Sequence, residues 1–159
     1  AERRAREVVS LNEIVLDAVD QLWEKAAGLG CRVSACVPDT ECVTMGDRMM
    51  LTRAVANLID NGLKYGPAGL DVHCTLSGED GAWLIGVEDA GAGIAPEQRT
   101  AATESFVQLE SAHGAARSGF GLGLAFVRAT AARHRGQILM RNTARGFMVA
   151  LRLPAQAER

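Results

Sequence analysis

The chain is 159 residues long, 48% hydrophobic and 23% charged, enough apolar material for one domain that buries about 70% of its unfolded surface without disulfides. A formal net charge of -2 excludes a polyanion-binding surface, so nucleic acid is not an expected partner, and the composition is that of a globular rather than a disordered chain. The cysteines Cys31, Cys36, Cys42 and Cys74 show no CxxC spacing and read as buried reduced thiols in a reducing, cytoplasmic compartment, not as a zinc site.

Residues 1–9, AERRAREVV, read as the tail of an upstream helix or a linker. Ser10 and Glu13 form a capping box. The helix it opens carries an apolar stripe of Leu11, Ile14, Val15, Ala18, Val19, Leu22 and Ala26, and Gly28 and Gly30 stop it. Alternation over Cys31 to Val37 predicts a strand ended by Pro38-Asp39, and a short strand follows near Cys42 to Met45. Asp47 sits where the next helix needs an N-cap.

That helix contains RAVANLIDNGLKYG, Arg53 to Gly66. At spacings of four and three, Asn57, Asn61 and Lys64 project from one side, while Val55, Leu58, Ile59 and Gly62 face the other and suit packing on a sheet. Taken alone, the polar stripe reads as a solvated helix face, and the rest of the chain reverses that reading. Leu70 to Ser77 alternates as a strand with one wet face, where His73 reads as a surface histidine, and Ser77 to Gly81 reads as a hairpin turn. Ala82 to Glu88 is apolar on both faces, a central strand, and Asp89 stands at its exit before Ala90-Gly91-Ala92-Gly93.

Pro96 can open a short helix, but Thr100 to Ser118 reads as a long mobile loop with an apolar island at Phe106, Val107 and Leu109, and with His113 exposed. Gly119, Gly121 and Gly123 lead into a helix predicted from about Leu122 to Arg135 and closed by Gly136. Arg133, His134 and Arg135 fall in its last turn, where cations favour the helix dipole. Gln137 to Arg141 and Phe147 to Leu153 read as a final hairpin stopped by Pro154.

Two glycine clusters and a helix presenting amide oxygens have a nucleoside triphosphate with its metal as their simplest common ligand. Glycines admit backbone close to phosphate, and the N-H groups of a helix start present positive partial charge to it. An amide oxygen suits Mg2+ and adds no negative charge beside the phosphates. Lys64 can act as a point charge, and an ionised Asp89 can accept from an exocyclic amino group, which favours ATP over GTP. Neither GxGxxG nor GxxxxGK[ST] is present, which argues against a dinucleotide fold and a P-loop.

The order NLIDNGLKYG, EDAGAGI, SFVQL and GFGLGLAFV resembles the N, G1, F and G2 boxes of the catalytic ATP-binding domain of bacterial sensor histidine kinases. Gly46-Asp47 and Pro96-Glu97-Gln98 extend the likeness, which covers Ser10 to Pro154 and is similar to the osmosensor type. The resemblance implies an α+β fold, the GHKL two-layer sandwich with helices on one face of a mixed, mostly antiparallel sheet. It implies residues 1–9 as a linker from upstream dimerisation helices, 10–154 as the domain and 155–159 as a tail. It further implies Asn61 as the main Mg2+ ligand with Asn57 assisting, Lys64 near phosphate and Tyr65 packing at the nucleotide. Asp89 would take the adenine amino group, with Gly91, Gly93 and Ile94 shaping the pocket. Gly119, Phe120, Gly121, Leu122, Gly123 and Leu124 would surround the phosphates below a lid.

Three positions depart from the family pattern. Gly62 and Ala92 stand where alanine and proline are usual and are expected to change backbone stiffness only. Phe147 stands where many members place a threonine near adenine, so that contact is not expected. None of His73, His113 or His134 lies in a phosphoacceptor stretch, so the acceptor histidine and its acidic neighbour are expected upstream, on a dimerisation domain, and this piece alone is not expected to autophosphorylate. The implied partners are those helices and a response regulator receiver domain, in a homodimeric parent. No apolar run approaches the ~18 residues of a membrane span; the resemblance implies the cytosolic part of an inner-membrane sensor, without direct membrane contact from this domain. The alternatives are a non-kinase GHKL ATPase, disfavoured by the capped helix at Ser10 and the GFGLGL form, and a degenerate nucleotide-sensing or interaction domain, disfavoured by the intact Asn61, Asp89 and glycines.

Overall fold

The structure is a computed structural model that describes residues 6–65, 71–89, 118–144 and 146–155. The chain opens with β1 (Glu7–Ser10), where the charged sequence predicts a linker or helix tail. Val8 and Val9 pair there with Met45 and Thr44 of β3 (Val43–Gly46), antiparallel, so long-range pairing overrides a weak local signal. Ser10 ends the strand and caps α1 (Leu11–Gly28), its Oγ accepting from Glu13 N at 3.3 Å. The Glu13 carboxylate goes to Arg48, 3.5 Å away, rather than back to the cap.

All seven stripe residues of α1 are buried. The helix ends in a Schellman turn: Cys31 N donates to Ala26 O, Gly30 N donates to Ala27 O, and Gly30 takes φ +72 at the left-handed position. Next come β2 (Val33–Cys36), β3 and α2 (Arg48–Tyr65). Then follow β4 (Val72–Glu79), β5 (Ala82–Asp89), α3 (Ser118–Arg133), β6 (Gln137–Asn142) and β7 (Phe147–Pro154).

The larger sheet has the order β2-β4-β5-β7-β6, with β2 parallel to β4 and the other pairs antiparallel. α1, α2 and α3 bury Leu11, Ile14, Leu51, Val55, Ile59, Leu124 and Val127 in one core with Val72, Ile85, Leu151 and Leu153 of the strands. This is the expected two-layer α/β sandwich. Trp83 Nε1 donates to Val43 O at 2.9 Å and Thr44 Oγ1 to Pro154 O at 2.8 Å, which fastens the small sheet to the large one.

The hairpin is tighter than its composition predicts. Ser77 and Gly78 stay in the strand, and only Asp80 and Gly81 turn, with φ +48 and +74. An Asp-Gly pair at these angles matches the twist of the flanking strands. Gly78 is a platform for Trp83, whose ring would meet a Cβ there at 3.0 Å. Cys31, Cys42 and Cys74 are buried free thiols as expected, but Cys36, on the wet face of an edge strand, is exposed.

Candidate functional site

α2 carries the candidate site, and its first turn is fixed from two directions. Asp47 Oδ1 accepts from Met50 N at 3.0 Å, the expected N-cap. Asp47 N in turn donates to His134 Nε2 at 3.0 Å, while His134 Nδ1 meets Thr130 O at 2.7 Å. That pair of bonds requires the Nδ1-H tautomer, a neutral ring. The sequence reading of His134 as a dipole-stabilising cation is therefore wrong. The ring is 4% exposed, and burial, helped by the nearby charges of Arg6 and Arg133, lowers its pKa despite the Thr130 bond and the Asp47 charge. Arg6 joins Arg133 as a cation at the end of α3, its Nη2 donating to Arg133 O at 2.9 Å.

The His134 ring lies against Gly46, where a Cβ would stand 2.5 Å from it. The turn beyond α3 also differs from expectation. Arg135, not Gly136, takes the left-handed conformation, φ +56. Gly136 is required by close approach, since a Cβ there would lie 2.2 Å from Arg152 O.

A second contact sets the course of α3 along α2. The Arg53 guanidinium lies 4.2 Å from the centre of the Phe126 ring. Moving forward along α2 from Asp47 to Arg53 moves backward along α3 from His134 to Phe126, so the two helices are antiparallel. That course brings the later turns of α2, with Asn57 and Asn61, toward the start of α3 at Ser118. The glycines lie inside the first turns of α3, which begins earlier than the predicted Leu122. The positive end of α3 thus lies toward the part of α2 that carries the amide stripe. Leu124 is 1% exposed and belongs to the core.

On the stripe, Asn57 is half-buried and Asn61 is 8% exposed. Asn61 Nδ2 has no hydrogen-bond partner among the described residues. Lys64 is turned to Asp60, Nζ to Oδ2 3.0 Å, and Lys25 holds the other oxygen at 2.5 Å. Burial alone would raise the Asp60 pKa, but the hydrogen bonds and charges of the two lysines hold it below the usual carboxylate value.

Gly62 does more than adjust stiffness. A Cβ there would stand 3.2 Å from Val72 and 3.6 Å from Val87, so the glycine brings α2 down onto the sheet. Asp89 ends β5 on the side of buried Ile85 and Val87, facing the helices, and Phe147 is its cross-strand neighbour. An aromatic side chain therefore stands beside the carboxylate. Gly91, Gly93, Ile94 and the segment 100–117 lie outside the described residues, as do the side chains of Tyr65, Gly119 to Gly123, Phe120 and Leu122 among them. Arg53 and Phe126 were not singled out by sequence reasoning, although Arg53 extends the stripe by one turn from Asn57.

An amide stripe on a helix packed over a mixed sheet, with a second helix starting toward it, is the arrangement expected of a GHKL-type ATPase domain. The chain belongs to the family of histidine kinase-, DNA gyrase B- and HSP90-like ATPases, whose sequence model matches residues 46–157. Within that family its relatives are sensor histidine kinases. It is 31% identical over 145 residues to the sensor histidine kinase RppB of Synechocystis, covering 91% of this chain and 32% of RppB. It is 35% identical over 150 residues to the histidine protein kinase DivJ of Caulobacter vibrioides, covering 94% and 25%. Among solved structures, the ATP-binding domain of PrrB from Mycobacterium tuberculosis superimposes with a TM-score of 0.72 at 25% identity, covering 97% of this chain and all of that one. The chain spans about a third or less of the length of these curated relatives.

Proposed function

We propose that this domain binds Mg-ATP and presents the terminal phosphate to a histidine on a separate dimerisation domain, in two-component signal transduction. The observation that carries the reading is Asn61, a buried carboxamide whose Nδ2 is left without a partner among the described residues. Burying an incompletely bonded amide costs about 1–3 kcal/mol, a cost a bound metal-nucleotide would offset. Its oxygen and that of Asn57 fit the hard, neutral donors that Mg2+ accepts beside phosphate. When bound, the metal neutralises charge on the phosphates. The chain's own residues orient the nucleotide: Asp89 accepts from the adenine amino group, Phe147 covers the base, and the first N-H groups of α3 face the phosphates.

The transfer moves a phosphoryl group from ATP to an imidazole nitrogen and leaves ADP, with positioning and charge neutralisation supplying most of the catalysis. The acceptor histidine, the dimeric parent, its response regulator and its inner-membrane, cytosol-facing location belong to the same proposal. The test is calorimetric titration of this chain and of Asn61→Ala with Mg-ATP, with and without EDTA. Binding by the wild type that is lost with EDTA and lost in Asn61→Ala is expected. Equal affinity of the two proteins would refute the assignment.

A further inference from the structure

We infer that Arg53 is a ligand of the terminal phosphate, held in place by Phe126, and that it lets this site distinguish ATP from ADP. The inference rests on the Mg-ATP reading above and adds to it a residue and a direction. Four observations lead there. The first is position: at the turn of an α-helix Arg53, Asn57, Asn61 and Lys64 fall within roughly an 80° arc, so Arg53 lies on the metal-holding stripe.

The second is the direction of the ligand. α2 runs parallel to β5, since Trp83 near the start of β5 bonds Val43 just before α2, whereas Val87 near its end lies under Gly62. Asp89 therefore stands at the C-terminal end of α2, and with it the adenine. Leaving the base along the stripe, a triphosphate meets Asn61, then Asn57, then Arg53, so the terminal phosphate falls to the last of these.

The third is charge. Arg48 is taken up by Glu13 and Asp17, and Lys64 by Asp60. Arg53 is exposed, and among the described residues no carboxylate pairs with it. The fourth is how the guanidinium is held. The guanidinium carbon stands over the Phe126 ring, 4.2 Å from the centre, a cation–π attraction that holds the group while leaving its full charge available. A planar fork of that kind suits phosphate oxygens.

The test compares dissociation constants for Mg-ATP and Mg-ADP in the same chain, by calorimetry, for the wild type, Arg53→Ala, Arg53→Lys and Phe126→Leu. Arg53→Ala is expected to weaken Mg-ATP about tenfold, the order of one lost charge-assisted contact, and to leave Mg-ADP within about twofold. Arg53→Lys should recover part of the ATP preference, and Phe126→Leu should lose part of it with the arginine intact. If Arg53→Ala lowers the melting temperature yet leaves the ATP-to-ADP ratio as in the wild type, the pair merely joins two helices and the inference is overturned. An equal loss for both nucleotides overturns it as well. A wild-type chain that binds neither nucleotide would instead remove the Mg-ATP reading, and the Arg53 assignment with it.

Discussion

Replacing His134 tests how the two helices of the site are held together. In His134→Ala the Asp47 N-H at the first turn of α2 loses its acceptor, while Thr130 O keeps a backbone bond from residue 134. One orphaned donor costs about 1–3 kcal/mol. The ring packed on Gly46 is lost too, which brings the total to roughly 2–4 kcal/mol. For a domain of this size that is a fall in melting temperature of roughly 5–15 °C. His134→Gln, whose amide oxygen can reach toward Asp47 N, should recover part of the loss.

The pH dependence provides the sharper readout. Burial lowers the folded-state pKa of His134 below its ordinary value of 6.5, so between those two values the unfolded chain binds more protons than the folded one. The contribution is fully present above the unfolded value and is lost as pH falls through the folded one. Urea denaturation from pH 8 to pH 5 should therefore show the wild-type advantage over His134→Gln shrinking on acidification. An advantage that stays constant with pH, or a cost below about 0.5 kcal/mol for His134→Ala, would refute the neutral clamp.

Two further outcomes follow from the backbone and from burial. Arg135→Gly should stabilise the domain by about 0.5–1 kcal/mol, because glycine adopts the φ of +56 without strain. By contrast Gly136→Ala should cost about 3 kcal/mol or more, because its methyl would meet Arg152 O; thermal melts of the pair should move in opposite directions. Thiol titration of the native chain at pH 8 should find one fast cysteine, Cys36, and all four only after denaturation. Burial pushes the Cys74 thiol up to about 12 and raises that of Cys42. Rapid labelling of Cys74 would contradict the packing described.

What was legible in the sequence was what local periodicity encodes. The α1 stripe, the Asp47 cap and the placing of Asn57, Asn61 and Lys64 on one side of α2 each depend on neighbours within a turn or two. The misreadings depend on partners far along the chain. His134 looked like a helix-end cation because its acceptor role is defined by Asp47, 87 residues away. Gly136 looked like the αL residue because only the folded sheet brings Arg152 O against it. β1 was hidden for the same reason, since Val8 and Val9 become a strand only beside β3.

The site follows the same division. Sequence spacing finds the amide stripe but says nothing of which end takes the base. For the proposed Mg-ATP site that polarity follows from α2 lying parallel to β5, so that Asp89 and Lys64 share one end and Arg53 marks the other. Once the direction is known, the pairing of Lys64 with Asp60 gains meaning. On the proposed Mg-ATP reading a lysine at the base end can be neutralised without weakening the grip on the terminal phosphate, and Arg53, for which no acidic partner is found among the described residues, would stand where phosphate charge is greatest.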